Sequence, residues 1–127
     1  MTALLIGCAG MLGGLLRFAV DALFARGGRF APGRPSHWPL ATLVVNAIGS
    51  FIIGAAAGLT ASAHLSEQAH TVLATGFAGG LTTFSSFAVA TVSLWRQGHR
   101  WRAAISVAAN LALGLALAWW GFSLTHH

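Results

Sequence analysis

Phe84 and Phe87 are three residues apart, so on a helix they share a face, and Thr82, Thr83, Ser85 and Ser86 surround them. A benzene ring is negative over its face and positive at its edge, so two such edges can line the path of an anion. Neutral hydroxyls add donors that replace part of an anion's hydration shell without a fixed charge to hold it too tightly. Two further polar tracks follow helical spacing: Thr42, Asn46 and Ser50 in "TLVVNAIGSFIIG", and Ser106 with Asn110. Together these groups offer a neutral anion pathway. Residue types alone leave open a plainer alternative, in which the rings pack against lipid, the hydroxyls bond their own helix and Asn46 only joins two helices. Arg17 and Asp21 are also four apart and can neutralise one another.

The stretch "GFAGGLTTFSSF" (76–87) carries the strongest signal. Gly79 and Gly80 weaken a helix there, and the adjoining threonines and serines can satisfy backbone groups that a break would free. Carbonyls released by such a break suit a small hard cation such as Na⁺.

The elements that must hold these residues are four apolar stretches, each able to cross a hydrocarbon core of about 30 Å. They run from Ala3 to Phe24, Pro39 to Thr60, His70 to Leu94 and Trp101 to Leu124. "ARGGRFAPGRPSHW" separates the first two, "ASAHLSEQ" is a short polar link, and "WRQGHR" is a tight one. Trp38, Trp95 and Trp101 mark one membrane boundary and Trp119 and Trp120 the other. Gly10 with Gly14, Gly54 with Gly58, and Gly76 with Gly80 are spaced for close helix packing. The expected fold is therefore an all-α integral membrane protein, a single four-helix domain whose third helix is broken near its middle.

Composition agrees with lipid as the solvent. Of 127 residues, 56% are hydrophobic and 7% charged, and the mean hydropathy is +0.73; a soluble domain carries about 25% charged residues. The formal charge of +5 comes without lysine or a run of basic residues, which argues against nucleic acid as a partner. Arg26, Arg29, Arg34, Arg96, Arg100 and Arg102 all fall on one side of a four-span topology, and Glu67 lies on the other. By the positive-inside rule both arginine loops face the cytoplasm and both termini face out. Cys8 is the lone cysteine, so no intrachain disulfide can form. His37, His64, His70, His99, His126 and His127 sit in loops or at ends, with no metal-ligand spacing and no nucleophile beside a base, so an enzyme is not indicated. A proton-coupled exporter of the small multidrug kind needs a carboxylate within a span; Glu67 is in a loop, and Asp21 lies near a helix end.

"GFAGGLTTFSSF" closely resembles the third-helix signature of the Fluc/CrcB fluoride channels. "PLATLVVNAIGSFIIG" resembles their second helix and "GCAGMLGGLLRF" their glycine-rich first helix ending in arginine, so the resemblance covers essentially the whole chain. It implies passive fluoride export across the bacterial plasma membrane by an antiparallel, dual-topology dimer with two pores built from both chains. It further implies that Phe84 and Phe87 line the fluoride path with Asn46, that Ser85, Ser86, Ser106 and Asn110 extend the polar lining, and that Arg17 makes the vestibule electropositive. A structural Na⁺ at the dimer interface would be held by the backbone carbonyls of Gly79 and Thr82. Ser86 stands where the family usually has threonine, and Arg102 falls near a position that is often aromatic. The arginine bias leaves two assemblies open. One is a homodimer, favoured by the retained phenylalanines and Na⁺ motif; the other is a fixed-orientation subunit paired with an opposite-facing paralogue.

Overall fold

The computed structural model describes residues 1–26 and 38–127. Arg29, Arg34 and His37 lie outside the described residues. Within them the chain is entirely helical: α1 (Thr2–Arg26), α2 (Leu40–Ala61), α3 (Glu67–Thr71), a π-helical stretch (Val72–Ala78), α4 (Gly79–Leu81), α5 (Phe84–Arg96) and α6 (Arg100–Thr125). Among the described residues four helices are long and apolar enough to cross a membrane, the third running from Glu67 to Arg96.

The link after α2 and the link after α5 close in the same way. The N–H of His64 reaches the carbonyl of Leu59 and that of Ala63 reaches Thr60; His99 and Gly98 repeat this on Leu94 and Trp95. This pair of hydrogen bonds satisfies the last carbonyls of a helix and needs one residue in the left-handed region. Gly98 occupies it at φ 83°, where no side chain is strained, but Ala63 occupies its equivalent at φ 60°. The third span then begins at Glu67, three residues before the expected start, because the Ser66 hydroxyl accepts the N–H of Ala69 at 3.2 Å and caps the helix.

Inside the spans, small residues set the packing. The buried apolar side chains are Val45, Ala56, Ala78, Leu81, Leu94 and Ala103, while leucines, tryptophans and valines cover the outside. In water that would be inside out; in lipid, helices gain nothing by hiding leucine and associate by close backbone approach. On α2, a Cβ at Gly54 would strike the carbonyl of Ala118, and one at Gly58 would strike the Thr125 hydroxyl. Where α1 meets the third span, a Cβ at Gly80 would strike the carbonyl of Gly10, and one at Gly76 would come within 2.9 Å of Ile6 O. The expected pairing of Gly10 with Gly14 is corrected here. A Cβ at Gly14 would meet nothing within 4 Å, and it is Gly13, the buried residue of α1, whose Cβ would run into Phe77 O.

The contacts define two parallel helix pairs. Residue numbers rise together along α1 and the third span, and likewise along α2 and α6, where Asn46 meets Asn110, Ser50 meets Gly114 and Gly54 meets Ala118. Each of those pairs differs by 64 in residue number. The α2 and α6 polar tracks therefore run side by side at matched depth.

Two outcomes follow for thermal unfolding in detergent. Ala63→Gly is expected to add about 1 kcal/mol of stability by removing a left-handed alanine. Gly13→Val is expected to cost about 3 kcal/mol or more through overpacking against fixed backbone, while Gly14→Ala leaves the subunit fold unchanged.

Candidate ion pathway

Helical backbone stops at Leu81 and resumes at Phe84. Between them Thr82 has φ −75°, ψ 156° and Thr83 has φ −146°, ψ 121°. An extended residue turns its N–H and C=O to the same side, and an amide side chain can meet both. Asn46 does so: its Oδ1 accepts the Thr83 N–H at 2.9 Å, and its Nδ2 donates to the Thr83 carbonyl at 3.3 Å. The Thr83 N–H fixes which end of the amide is oxygen. The second Nδ2 hydrogen goes to Asn110 Oδ1 at 3.1 Å, and Asn110 Nδ2 in turn donates to the carbonyl of Ser106 at 2.9 Å.

Thr83 also restarts the helix. Its hydroxyl accepts the N–H of Ser86 at 3.1 Å and lies 3.2 Å from the Ser85 hydroxyl, the geometry of an N-cap. Its burial, at 7% exposure, makes those bonds obligatory. Thr82 turns its hydroxyl back to the carbonyl of Ala78 at 2.9 Å. Its own carbonyl accepts from Arg17 Nη1 on α1 at 3.2 Å. This corrects the expected neutralisation of Arg17 by Asp21: among the described residues Arg17 makes no ion pair, and the exposed Asp21 one turn on is not its partner.

Beside the interruption lies an open cleft of about 370 Å³, lined by Asn46, Ser50 and Ile53 of α2, Thr82 to Phe84 and Phe87 of the third span, and Asn110 and Leu111 of α6. The rings of Phe84 and Phe87 are 6.0 Å apart and tilted by 50°. Phe84 is 80% exposed. The structure thus gathers Asn46, Thr82, Phe84, Phe87 and Asn110 at one cleft. Ser106 lies one turn from Asn110 on α6 and is buried. Ser85, Ser86 and Gly79 are exposed outside that lining. Arg17 reaches the interruption from the α1 side.

Two features escape a reading of the sequence. One is the widened π turn immediately before Gly79, for which no local residue pattern is a signal. The other is Thr83, whose place directly before the run "FSSF" is the ordinary mark of an N-cap. Asn46 itself plays a different part from that of a free donor. Both of its N–H groups are engaged, so its amide shapes the cleft, whereas the hydroxyls of Ser50, Ser86 and Ser106 make no hydrogen bond with any described residue.

Residues 4–122 match the family of the CrcB-like protein, Camphor Resistance (CrcB). The chain is 55% identical over 124 residues to a fluoride-specific ion channel FluC of Renibacterium salmoninarum, covering 98% of each chain. It is 42% identical to a fluoride-specific ion channel FluC 2 of Rhodococcus jostii, over 98% of this chain and 99% of that one. A fluoride-specific ion channel FluC of Thermus thermophilus is 40% identical over 95% of this chain and 92% of its own.

Asn46→Ala is expected to lower stability by roughly 3 kcal/mol, because it orphans the buried N–H and C=O of Thr83 at about 1–3 kcal/mol each. Asn110→Ala, which removes one bond to Asn46, a residue that keeps two others, and one to the Ser106 carbonyl of its own helix, orphans no Thr83 group and is expected to cost less, about 1–2 kcal/mol. Chemical or thermal unfolding of the two variants beside the parent checks both.

Proposed function

The chain belongs to the CrcB-like family, and we propose that it is a fluoride-selective channel, carrying fluoride passively out across the bacterial plasma membrane and so lowering its toxicity inside. The observation that carries this reading is the Phe84–Phe87 pair, set directly after the helix interruption on a largely apolar cleft that holds a few neutral polar groups and no fixed charge in its lining. An ion entering there leaves bulk water for ring edges and neutral donors. Ser50 lies within the cleft and Ser106 one turn along α6, both with hydroxyls free to turn toward an anion. Ser85 and Ser86 extend the polar surface on the exposed side of α5. A rigid Asn46–Thr83 pairing keeps the ring-bearing helix in place, which serves selectivity because a floppy site would adapt to any halide. Arg17 supplies positive charge at the approach, drawing anions without lining the cleft itself.

In this reading the functional unit is an antiparallel homodimer with one pathway along each side. Phe84, at 80% exposure, and an α1 with Gly13 as its buried residue are faces that a second copy would cover. Equal numbers of subunits facing each way are required, so the arginine-rich loops must be tolerated on both sides; pairing with an opposite-facing paralogue would relieve that. The fold supports a structural Na⁺ at the dimer interface. Because the Thr83 N–H goes to Asn46, the carbonyl of Gly79 has lost the donor that a continuing helix would give it. Space beside Gly79 is open, since a Cβ there would meet only Ala74 O at 3.7 Å. The carbonyl of Thr82, taken out of the helical ladder by its extended backbone, accepts a single bond from Arg17 that a cation can displace. The two carbonyls of each subunit fit a hard monovalent cation, whose charge would tie the two interrupted helices together.

In liposomes containing only this chain, fluoride efflux is expected without chloride efflux and without a pH gradient. Phe84→Ile and Phe87→Ile are each expected to slow it roughly tenfold, the effect of about 1.4 kcal/mol of aromatic-edge interaction lost at the barrier. Undiminished fluoride flux in both variants, with dimers intact by cross-linking, would remove the two rings from the pathway.

A further inference from the structure

Arg17 is a cation without an anion. The chain contains two carboxylates, Asp21 and Glu67; among the described residues Arg17 pairs with neither, and Glu67 sits in the first turn of α3. What Arg17 holds instead is the carbonyl of Thr82, at 3.2 Å. This single bond to a neutral oxygen, at the long end of the ordinary N–H···O range of about 2.7–3.2 Å, is a latch. It also falls on one of the two carbonyls that the interruption offers to a cation, while the other, Gly79 O, has been stripped of its helical donor by Asn46.

An ion drawn to both oxygens must approach a carbonyl on which a guanidinium already rests. Two positive charges a few ångströms apart repel, and the repulsion grows as water is excluded. We infer that Arg17 and a bound monovalent cation are alternative occupants of the Thr82 carbonyl. Cation binding releases the guanidinium from α4's end, and a cation-free subunit keeps it latched. The inference rests on the proposed reading that Gly79 and Thr82 accept Na⁺, and it adds a linkage: the Arg17 charge becomes fully available to approaching anions only in the cation-loaded state. Thermodynamic reciprocity requires that removing the latch strengthen cation binding by the same factor that the cation weakens the latch.

The test uses purified full chain carrying ¹⁵N-arginine, titrated with NaCl against N-methylglucamine chloride at constant ionic strength. Two signals are read: the Arg17 Nε–H resonance, assigned by its loss in Arg17→Lys, and the Na⁺ concentration at which thermal stability is half-raised. The expected result is that the Arg17 resonance moves with the same midpoint as the stability. In Arg17→Gln that midpoint falls about tenfold, within the usual range of coupling between sites. A midpoint that stays put or rises in Arg17→Gln overturns the inference. If that variant does not fold, an Arg17 resonance unmoved by Na⁺ in the parent overturns it alone. Stability indifferent to Na⁺ also overturns it, and fluoride efflux from the same preparation then shows whether the channel reading survives.

Discussion

The pairing of one asparagine side chain with both polar groups of one peptide residue underlies everything near the cleft. A helix that stops inside a membrane strands donors and acceptors where no water can reach them, at a cost of several kcal/mol per group. Asn46 removes that cost for Thr83 from a neighbouring helix, and Thr83 then caps the helix that carries Phe84 and Phe87. Arg17 and the Thr82 hydroxyl take up further bonds at the same place. The interruption is held from α1 on one side and α2 on the other, so the rings inherit their position from three helices.

That arrangement demands close helices, and close helices demand small residues. Gly10, Gly13, Gly76 and Gly80 let α1 lie against the third span near enough for the Arg17 side chain to reach Thr82. Gly54 and Gly58 do the same for α2 and α6, bringing Asn46 within bonding distance of Asn110. Packing and polar network are therefore one design: a methyl group at the wrong glycine would separate the helices and break bonds well away from it.

Much of this was legible in the sequence, for reasons that can be named. Lipid requires long apolar runs, so the four spans stand out, and the cluster of glycines and hydroxyls at 76–87 has no purpose in a plain helix. Facing is harder to read. Gly10 and Gly14 have the right spacing, but only the partner decides that Gly13 is the one pressed against Phe77. Arg17 and Asp21 have the spacing of a pair, yet the arginine's partner lies 65 residues away, beyond any local pattern. The π turn has no composition of its own, and its residues Val72–Ala78 carry no local mark of it. Glu67 as a starting residue could have been recognised from Ser66 before it.

The matched register of α2 and α6 has a consequence for how an ion would travel. Polar levels at Thr42 and Ser106, at Asn46 and Asn110, and at Ser50 follow each other every four residues, about 6 Å along the axis. On the proposed path an ion midway between two levels would lie about 3 Å along the axis from each, beyond the roughly 2.7 Å of a direct hydroxyl contact, so it would pass from one set of donors to the next rather than hold both. The middle level differs from its neighbours, because Asn46 and Asn110 are bonded to each other and Asn46 has no hydrogen to spare. Asn110 keeps one Nδ2 hydrogen, so at this level only the α6 amide has a donor to offer. On the proposed path an ion at that level would meet Asn110 rather than Asn46, with Phe84 and Phe87 lining the same cleft.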